Sequence, residues 1–547
     1  CNRHHPFHCP MEHEALSYAL ACHLRAIAWV AAHEELAVRH PGEVAAALKS
    51  HQLAGMEIPC DAPAELCEAV RQAASSSART GQRPSDSSSC ATLMAAELGR
   101  FWHLLVAKSD PSGAWKHLTC ALQQFHRCHW QQPSWRGANL GGWFLLEPGP
   151  ASPFFDTCHG KIQEIRLGPD APEAPKLEKR ENPPGMDDEH SLCQALQLAG
   201  GADLQRQMFE EHRASHYTAE TMRRIVDTGL NAVRLPVGHW VLQEPAQGEA
   251  FQGPCCEALD AAVDQIAESG LQLLLDLHGA PGGENGERPC GRTDPSWNWE
   301  KWRSNEAVSI LGRLAARYCG KDCITGIQVC NEPAESIPVT RLCDFYEQAI
   351  EVIRGNGMGP EKVAIVLPIF THWRVPEVVQ TWRERGNFLK YDNVVFDIHY
   401  YHNFSKIWNL LSHQQHVDVV RSHALELKSI PGAVVGEWSI SRPGQFTDED
   451  QADFALKQVL AYNHASHGWF FWNWHDHDFY PDWDLERGVF QKGKLPNPLG
   501  APELQGFLHP EWEDRTGELP SQVSGMWPKL MGWAGTAQGL MQQLWPT

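Results

Sequence analysis

Two carboxylates stand out by where they fall. The apolar run Ile327-Gln328-Val329-Cys330 stops at Asn331-Glu332-Pro333, and a second run, "AVVGEW" (433–438), carries Glu437 near its end. Asn and Pro are turn residues, so a strand that simply turns explains the first case taken alone. A carboxylate beside an apolar core is costly unless it has a task or a partner. Two that face one another suit cleavage of a glycosidic bond: one protonates the leaving oxygen, and the other attacks the anomeric carbon or activates a water. Proximity would push their pKa values apart and keep one protonated near neutral pH.

Other residues of the right type stand at the ends of neighbouring apolar runs. Glu147 follows the run at 135–140. Arg234 lies within 231–237, and His278 closes 271–278. His399 and Tyr401 close the run at 393–400, and Trp472 lies in "GWFFWNW" (468–474). Singly, each has a structural reading. His278 and His399 could be core histidines, Tyr401 and Trp472 packing residues, and Arg234 the salt-bridge partner of Glu437. Their recurrence at successive strand ends is what the structural reading does not explain. Arg234 would hold Glu437 ionised, and Asn331 would sit beside the acid with its amide toward a sugar hydroxyl.

Positioning such a set requires a scaffold. Eight short apolar runs, the six above with 324–331 and 363–368, alternate with helical patterns such as 217–229, 256–270 and 341–357. Eight near-continuous apolar strands with helices between them give an α/β fold, a (β/α)8 TIM barrel. Its functional residues would converge at the C-terminal ends of the strands. No phosphate-binding Gly fingerprint follows an early strand, which disfavours a doubly wound open sheet.

The barrel accounts for residues 131–510. Residues 1–130 read as a helical N-terminal extension, with apolar periodicity over 13–38 and 90–107 and a Ser-rich linker at 74–89. The charged, Pro-rich stretch 168–190 reads as part of an insertion, near 150–200, forming a loop on the upper face. Residues 511–547 read as an irregular tail.

Composition narrows the partners. A formal charge of -21 argues against nucleic acid and anionic membranes, which need a Lys/Arg excess. No apolar stretch is long enough to span a membrane, and no signal peptide is recognised in a chain that starts at Cys1. Twenty-two Trp against nine Tyr suits either stacking on sugar rings or filling a large core. The count of 17 Cys is odd, so not all can pair within the chain. A Cys319–Cys323 bridge is plausible, Cys255 and Cys256 would not easily bridge each other, and Cys330 reads as a buried thiol. The N-terminal "CNRHHPFHC" crowds metal-ligand types but matches no zinc spacing.

From about Trp135 to Gly500 the chain resembles glycoside hydrolase family 5. The strings that carry the resemblance are "RGANLGGWFLLEP" (136–148), "NAVRLPVGHW" (231–240), "LLLDLHGAPGGENG" (273–286), "NEP" (331–333), "FDIHYYHNF" (396–404) and "GEW" (436–438). The first and third are most similar to the exo-β-1,3-glucanase branch. The resemblance implies that Glu332 is the acid/base and Glu437 the nucleophile of a retaining reaction that needs no metal or organic cofactor. It implies that Arg234, His278, Asn331, His399, Tyr401 and Trp472 surround the sugar next to the cleaved bond, and that Glu147 binds that sugar. Phe404 matches one of two aromatics that grip the leaving-group sugar; the other is expected after "NG", where this chain has Glu287. The implied substrate is a β-glucan or oligosaccharide, chiefly β-1,3-glucan cut from its end. Endo action, transglycosylation, a lipid-linked β-glucoside and binding without turnover are the alternatives. An extracellular or cell-surface setting follows from that substrate class alone, and oligomeric state is left open.

Overall fold

A computed structural model describes residues 135–168, 185–476 and 480–499, and a short antiparallel pairing of Gln52–Leu53 with Met56–Glu57. The helices, linker and metal-ligand cluster expected within 1–130, and the tail expected over 511–547, otherwise lie outside the described residues.

Eight strands close into one barrel: β1 Trp135–Asn139, β2 Ala232–Gly238, β3 Gln272–Gly279, β4 Ile324–Gln328, β5 Ala364–Ile369, β6 Val394–Tyr400, β7 Ala433–Trp438 and β8 Gly468–Phe471. Neighbours run in chain order, β8 pairs with β1, and every pairing is parallel. The expected (β/α)8 fold is therefore the observed one. A parallel strand buried on both faces must be apolar almost throughout, and here helices cover the outer face. Those helices start where the sequence provides a cap. Thr218, Ser412 and Thr447 each accept a hydrogen bond from the backbone three residues on, and the residue there bonds back.

The floor of the barrel is apolar: Trp135, Ala232, Leu274, Ala364, Val366, Val395, Val434 and Phe470 form one buried cluster. Gly137 in β1 faces Phe470, and a Cβ there would come within 2.4 Å of that ring, so the floor closes only with glycine at this position.

Two expected strands are shorter than read. β4 ends at Gln328 rather than Asn331, and β8 at Phe471 rather than Trp474. Val329 N–H and Trp472 N–H still donate to the neighbouring strands, at Val366 O and Trp438 O, before the chain turns away. Asn473 N–H, for example, donates to Trp483 O in the following loop at 2.8 Å.

The insertion near 150–200 is the larger difference. It is not an irregular loop: Ser152–Leu167 and Glu189–Ser215 are helical, the second interrupted at Gly201 with φ 76°. Phe154, Cys158 and Ile162 lie four residues apart and meet Leu192, Cys193 and Leu196 in a small core of their own. The Pro-rich string hid that periodicity, which lies on either side of it.

Cys319 and Cys323 do not bridge. Both are free thiols, Cys319 directed to Ala316 O and Cys323 to Val263 O, so they turn to different carbonyls. All described cysteines are free, Cys330 is buried, and Cys255 and Cys256 are unbridged as expected.

Candidate active site

A buried polar layer lies above the apolar floor, and Arg234 is its hub. Its guanidinium donates to Gln328 Oε1 at 2.9 Å, Asn139 Oδ1 at 2.7 Å, Glu437 Oε1 at 2.8 Å and Asn331 Oδ1 at 2.9 Å. It also meets Asp276 Oδ2 at 3.0 Å. From β2, a planar fork with five N–H donors can serve strands β1, β3, β4 and β7 and the segment after β4 at once, which an ammonium cannot. Burial works against its charge, but Asp276, Glu437 and Asp397 outweigh burial and hold the guanidinium protonated.

Asn331 is fixed by two contacts of opposite sense. Its oxygen accepts from Arg234, so its NH2 turns to His278 Nε2 at 3.1 Å. His278 Nδ1 meets Asp276 Oδ2 at 2.7 Å. In the neutral ring this arrangement keeps the proton on Nδ1. Trp472 lies near-parallel to His278, with centroids 5.7 Å apart and an interplanar angle of 18°, and forms the adjacent wall.

His399 stands between the two carboxyl groups. Its Nδ1 is 2.8 Å from Glu332 Oε1 and 3.4 Å from Glu437 Oε2, and its Nε2 is 3.1 Å from Asp397 Oδ2. Burial would lower its pKa, but Glu437, Asp397 and the hydrogen bond to Glu332 raise it well above the usual value. As an imidazolium it donates at both nitrogens. Asp397 is itself held by Gly436 N–H at 2.6 Å and Gln328 Nε2 at 2.8 Å.

The two carboxyl groups are pushed in opposite directions. Burial raises Glu332, against the hydrogen bond and charge of His399. Burial would raise Glu437 too, but His399, Arg234, His278 and the Tyr401 hydroxyl, which donates to its Oε2 at 2.8 Å, lower it. Burial and then Glu437 keep the Tyr401 phenol protonated as a donor. Glu332 therefore favours the neutral acid and Glu437 the carboxylate.

Glu332, His399 and Glu437 offer ligand atoms that lie within 4.8 Å of one another. They are the only such group of three among the described residues, and they coincide with the carboxylate pair.

The remaining expected residues line the mouth. Glu147 is half-buried, and its carboxyl is pushed up to about 7 by burial, opposed by His278 and reinforced by Glu437. Phe404 is 70% exposed and edge-on to Tyr401 at 5.2 Å. Glu287, exposed, occupies the position where an aromatic was expected.

The sequence reading missed five contributors. Asp276 and Asp397 sit two residues before His278 and His399, on the same strand face; the repeated "DLH" and "DIH" was the available signal. Gln328 and Asn139 complete the Arg234 shell. Trp483 lies 5.2 Å from Tyr401 and 6.0 Å from Phe404, so the exposed aromatic wall has a second ring after all, supplied by the loop after β8.

The insertion holds the Glu147 segment in place. The buried Glu189 carboxylate accepts from Leu146 N–H at 2.7 Å and from Trp240 Nε1–H at 2.8 Å, and Asp188 accepts from Thr293 N–H at 2.7 Å. Glu189→Ala is expected to leave two buried donors unpaired, at a cost of about 1–3 kcal/mol each. Thermal unfolding measures the loss, and an unchanged midpoint would contradict this role.

An eight-stranded barrel with an acid and a carboxylate held across its mouth defines a (β/α)8 glycoside hydrolase. The model of the Cellulase family (glycosyl hydrolase family 5) matches residues 198–478, more than half of the chain. The chain belongs to glycosyl hydrolase family 5. It is similar to the probable glucan 1,3-beta-glucosidase A of Aspergillus clavatus, 26% identical over 69% of this chain and 91% of the relative. That of Aspergillus niger is 28% identical over 64% and 85%. The glucan 1,3-beta-glucosidase of Schwanniomyces occidentalis is 27% identical over 68% and 89%. Among solved structures, rutinosidase from Aspergillus niger superposes with a TM-score of 0.49 at 18% identity, over 64% of this chain and 92% of that one.

Proposed function

We propose that the chain is a retaining β-glucosidase that releases glucose from the end of a β-1,3-glucan, with Glu437 as nucleophile and Glu332 as acid/base. One observation carries the reading: oxygens of Glu332 and Glu437 lie within 4.8 Å of each other, around one histidine, with their pKa values driven apart. Retaining glycosidases hold their carboxyl groups about 5–5.5 Å apart, whereas inverting ones leave about 6.5–9.5 Å for a water.

Glu437, ionised and held by Arg234 and Tyr401, attacks the anomeric carbon. Glu332 gives its proton to the departing oxygen while its Oε1 accepts from His399. The glycosyl–Glu437 ester then reacts with a water that Glu332 deprotonates, and the sugar leaves with its β configuration restored. Asn331, aimed by Arg234 and His278, donates to the sugar's 2-hydroxyl. Trp472 and Glu147 bound the same subsite. No step calls for a metal or organic cofactor.

The names of the relatives support the β-1,3-glucan reading, and a setting outside the cell or at its surface is proposed from that substrate class alone. Phe404 and Trp483 form the leaving-group subsite. Stacked rings contribute about 0.5–1.5 kcal/mol. Trp483→Ala is accordingly expected to lower kcat/KM on glucan by about 2- to 12-fold and to spare β-glucosyl fluoride, whose leaving group has no ring to stack. Equal effects on both would remove Trp483 from the subsite.

The function itself is tested by incubating the protein with laminarin and following the released sugars by chromatography. Glucose alone from the start is the expected result. A ladder of oligosaccharides would mean endo action, and no release would overturn the glucan assignment.

A further inference from the structure

Glu284 is a buried carboxyl group that the reaction does not use. It lies in the loop after β3, among Gly282, Gly283 and Gly286, whose φ angles are 78°, 70° and 73°. This left-handed backbone turns the side chain inward, and Glu284 is 0% exposed. Its Oε2 accepts from Ala280 N–H at 3.4 Å, while its Oε1 has no hydrogen-bond partner among the described residues. Glu284 and its neighbour Asn285 stitch this loop to the Glu332 segment. Ala334 N–H donates to Glu284 O at 3.0 Å, and Asn285 Nδ2 donates to Glu332 O at 2.8 Å. The titratable groups around the carboxyl are His278 from β3, Cys290 from the loop and Cys330 after β4. Cys290 donates to Asn285 Oδ1 at 3.0 Å.

We propose that Glu284 is a positioning residue for Glu332 that serves as a neutral carboxylic acid, and that its ionisation sets a second alkaline limit on activity. An ionised carboxylate needs several strong donors, and this site offers the long Ala280 N–H contact with only its own N–H and the weak Cys290 S–H donor beside it. On ionisation the group must seek water or other donors. It can do so only by moving the loop whose backbone and Asn285 hold the Glu332–Ala334 backbone. Burial raises its pKa to about 7, with His278 opposing, so the neutral form is the resting one below neutrality.

The sign follows from linkage. A carboxyl raised from 4.5 to about 7 on folding weakens the fold increasingly as pH climbs between those values, and by a constant amount above them. Glu284→Gln, which mimics the neutral acid, and Glu284→Leu, which removes the group, both abolish this dependence. Thermal midpoints of wild type and each variant are compared from pH 4.5 to 8.5, with kcat/KM on a β-glucoside measured over the same range. The difference is expected to move in the variants' favour by several degrees up to about pH 7 and then level off. A constant offset of either sign is compatible with this, since one contact is lost. The alkaline limb of kcat/KM is expected to lose one ionisation in the variants relative to wild type, with the acid limb unchanged.

A midpoint difference that does not vary with pH in either variant overturns the proposal. So does an alkaline limb that keeps its wild-type shape. The activity arm rests on the β-glucosidase reading, whose own failure would show separately, as no turnover by wild type with the stability signature intact.

Discussion

Glu437→Gln is expected to abolish turnover, by on the order of 10^4-fold or more, while the barrel stays folded. Gln retains the size of the side chain; its oxygen can still accept from Arg234 while its NH2 donates to the Tyr401 hydroxyl, so the contacts at 2.8 Å survive in outline. What disappears is the charge proposed to attack the anomeric carbon. Loss of a nucleophile is among the largest single-residue effects in hydrolases. Folding is checked by circular dichroism and thermal unfolding, since removing one anion leaves Arg234 and His399 against Asp276 and Asp397 alone. A folded variant with appreciable residual activity would remove Glu437 from the nucleophile role.

Glu332→Ala is expected to divide substrates by their need for an acid. With glucan, whose leaving alkoxide must be protonated, kcat/KM should fall by about 10^2–10^4-fold. With a dinitrophenyl β-glucoside, whose leaving group departs without a proton, kcat/KM should stay near wild type. The pH profile should change with it. On the proposed mechanism, wild-type activity needs Glu332 protonated and Glu437 ionised. It should therefore fall as pH rises through the raised pKa of Glu332 and as it drops through the lowered pKa of Glu437. On the dinitrophenyl substrate the variant should lose Glu332's alkaline limb and keep the acid one. Equal losses on both substrates would contradict the acid role.

What could be read in the sequence, and what could not, has a physical basis. Glu332, Glu437, His278 and His399 were legible because each interrupts or ends an apolar run, where an ionisable group needs a reason. The barrel was legible because a parallel strand buried on both faces cannot alternate. Asp276 and Asp397 were not, although they lie in the same strands. They sit inside the runs, and their importance depends on partners far off in the chain: Arg234 for the first, Gln328 and Gly436 for the second. Trp483 was invisible for the same reason, since its place beside Tyr401 depends on how the loop after β8 returns to the mouth. The helices of the insertion were hidden because the Pro-rich string between them masks the four-residue spacing of Phe154, Cys158 and Ile162. The Cys319–Cys323 bridge failed because proximity in sequence says nothing about where two thiols point.

The most direct test of the mechanism is the configuration of the first sugar released. Laminarin is mixed with the enzyme in an NMR tube, and the anomeric proton signals are followed from the first minutes, before mutarotation. β-Glucose first, with the α anomer growing in later, is the predicted result. α-Glucose first would mean inversion and would contradict the double displacement through Glu437.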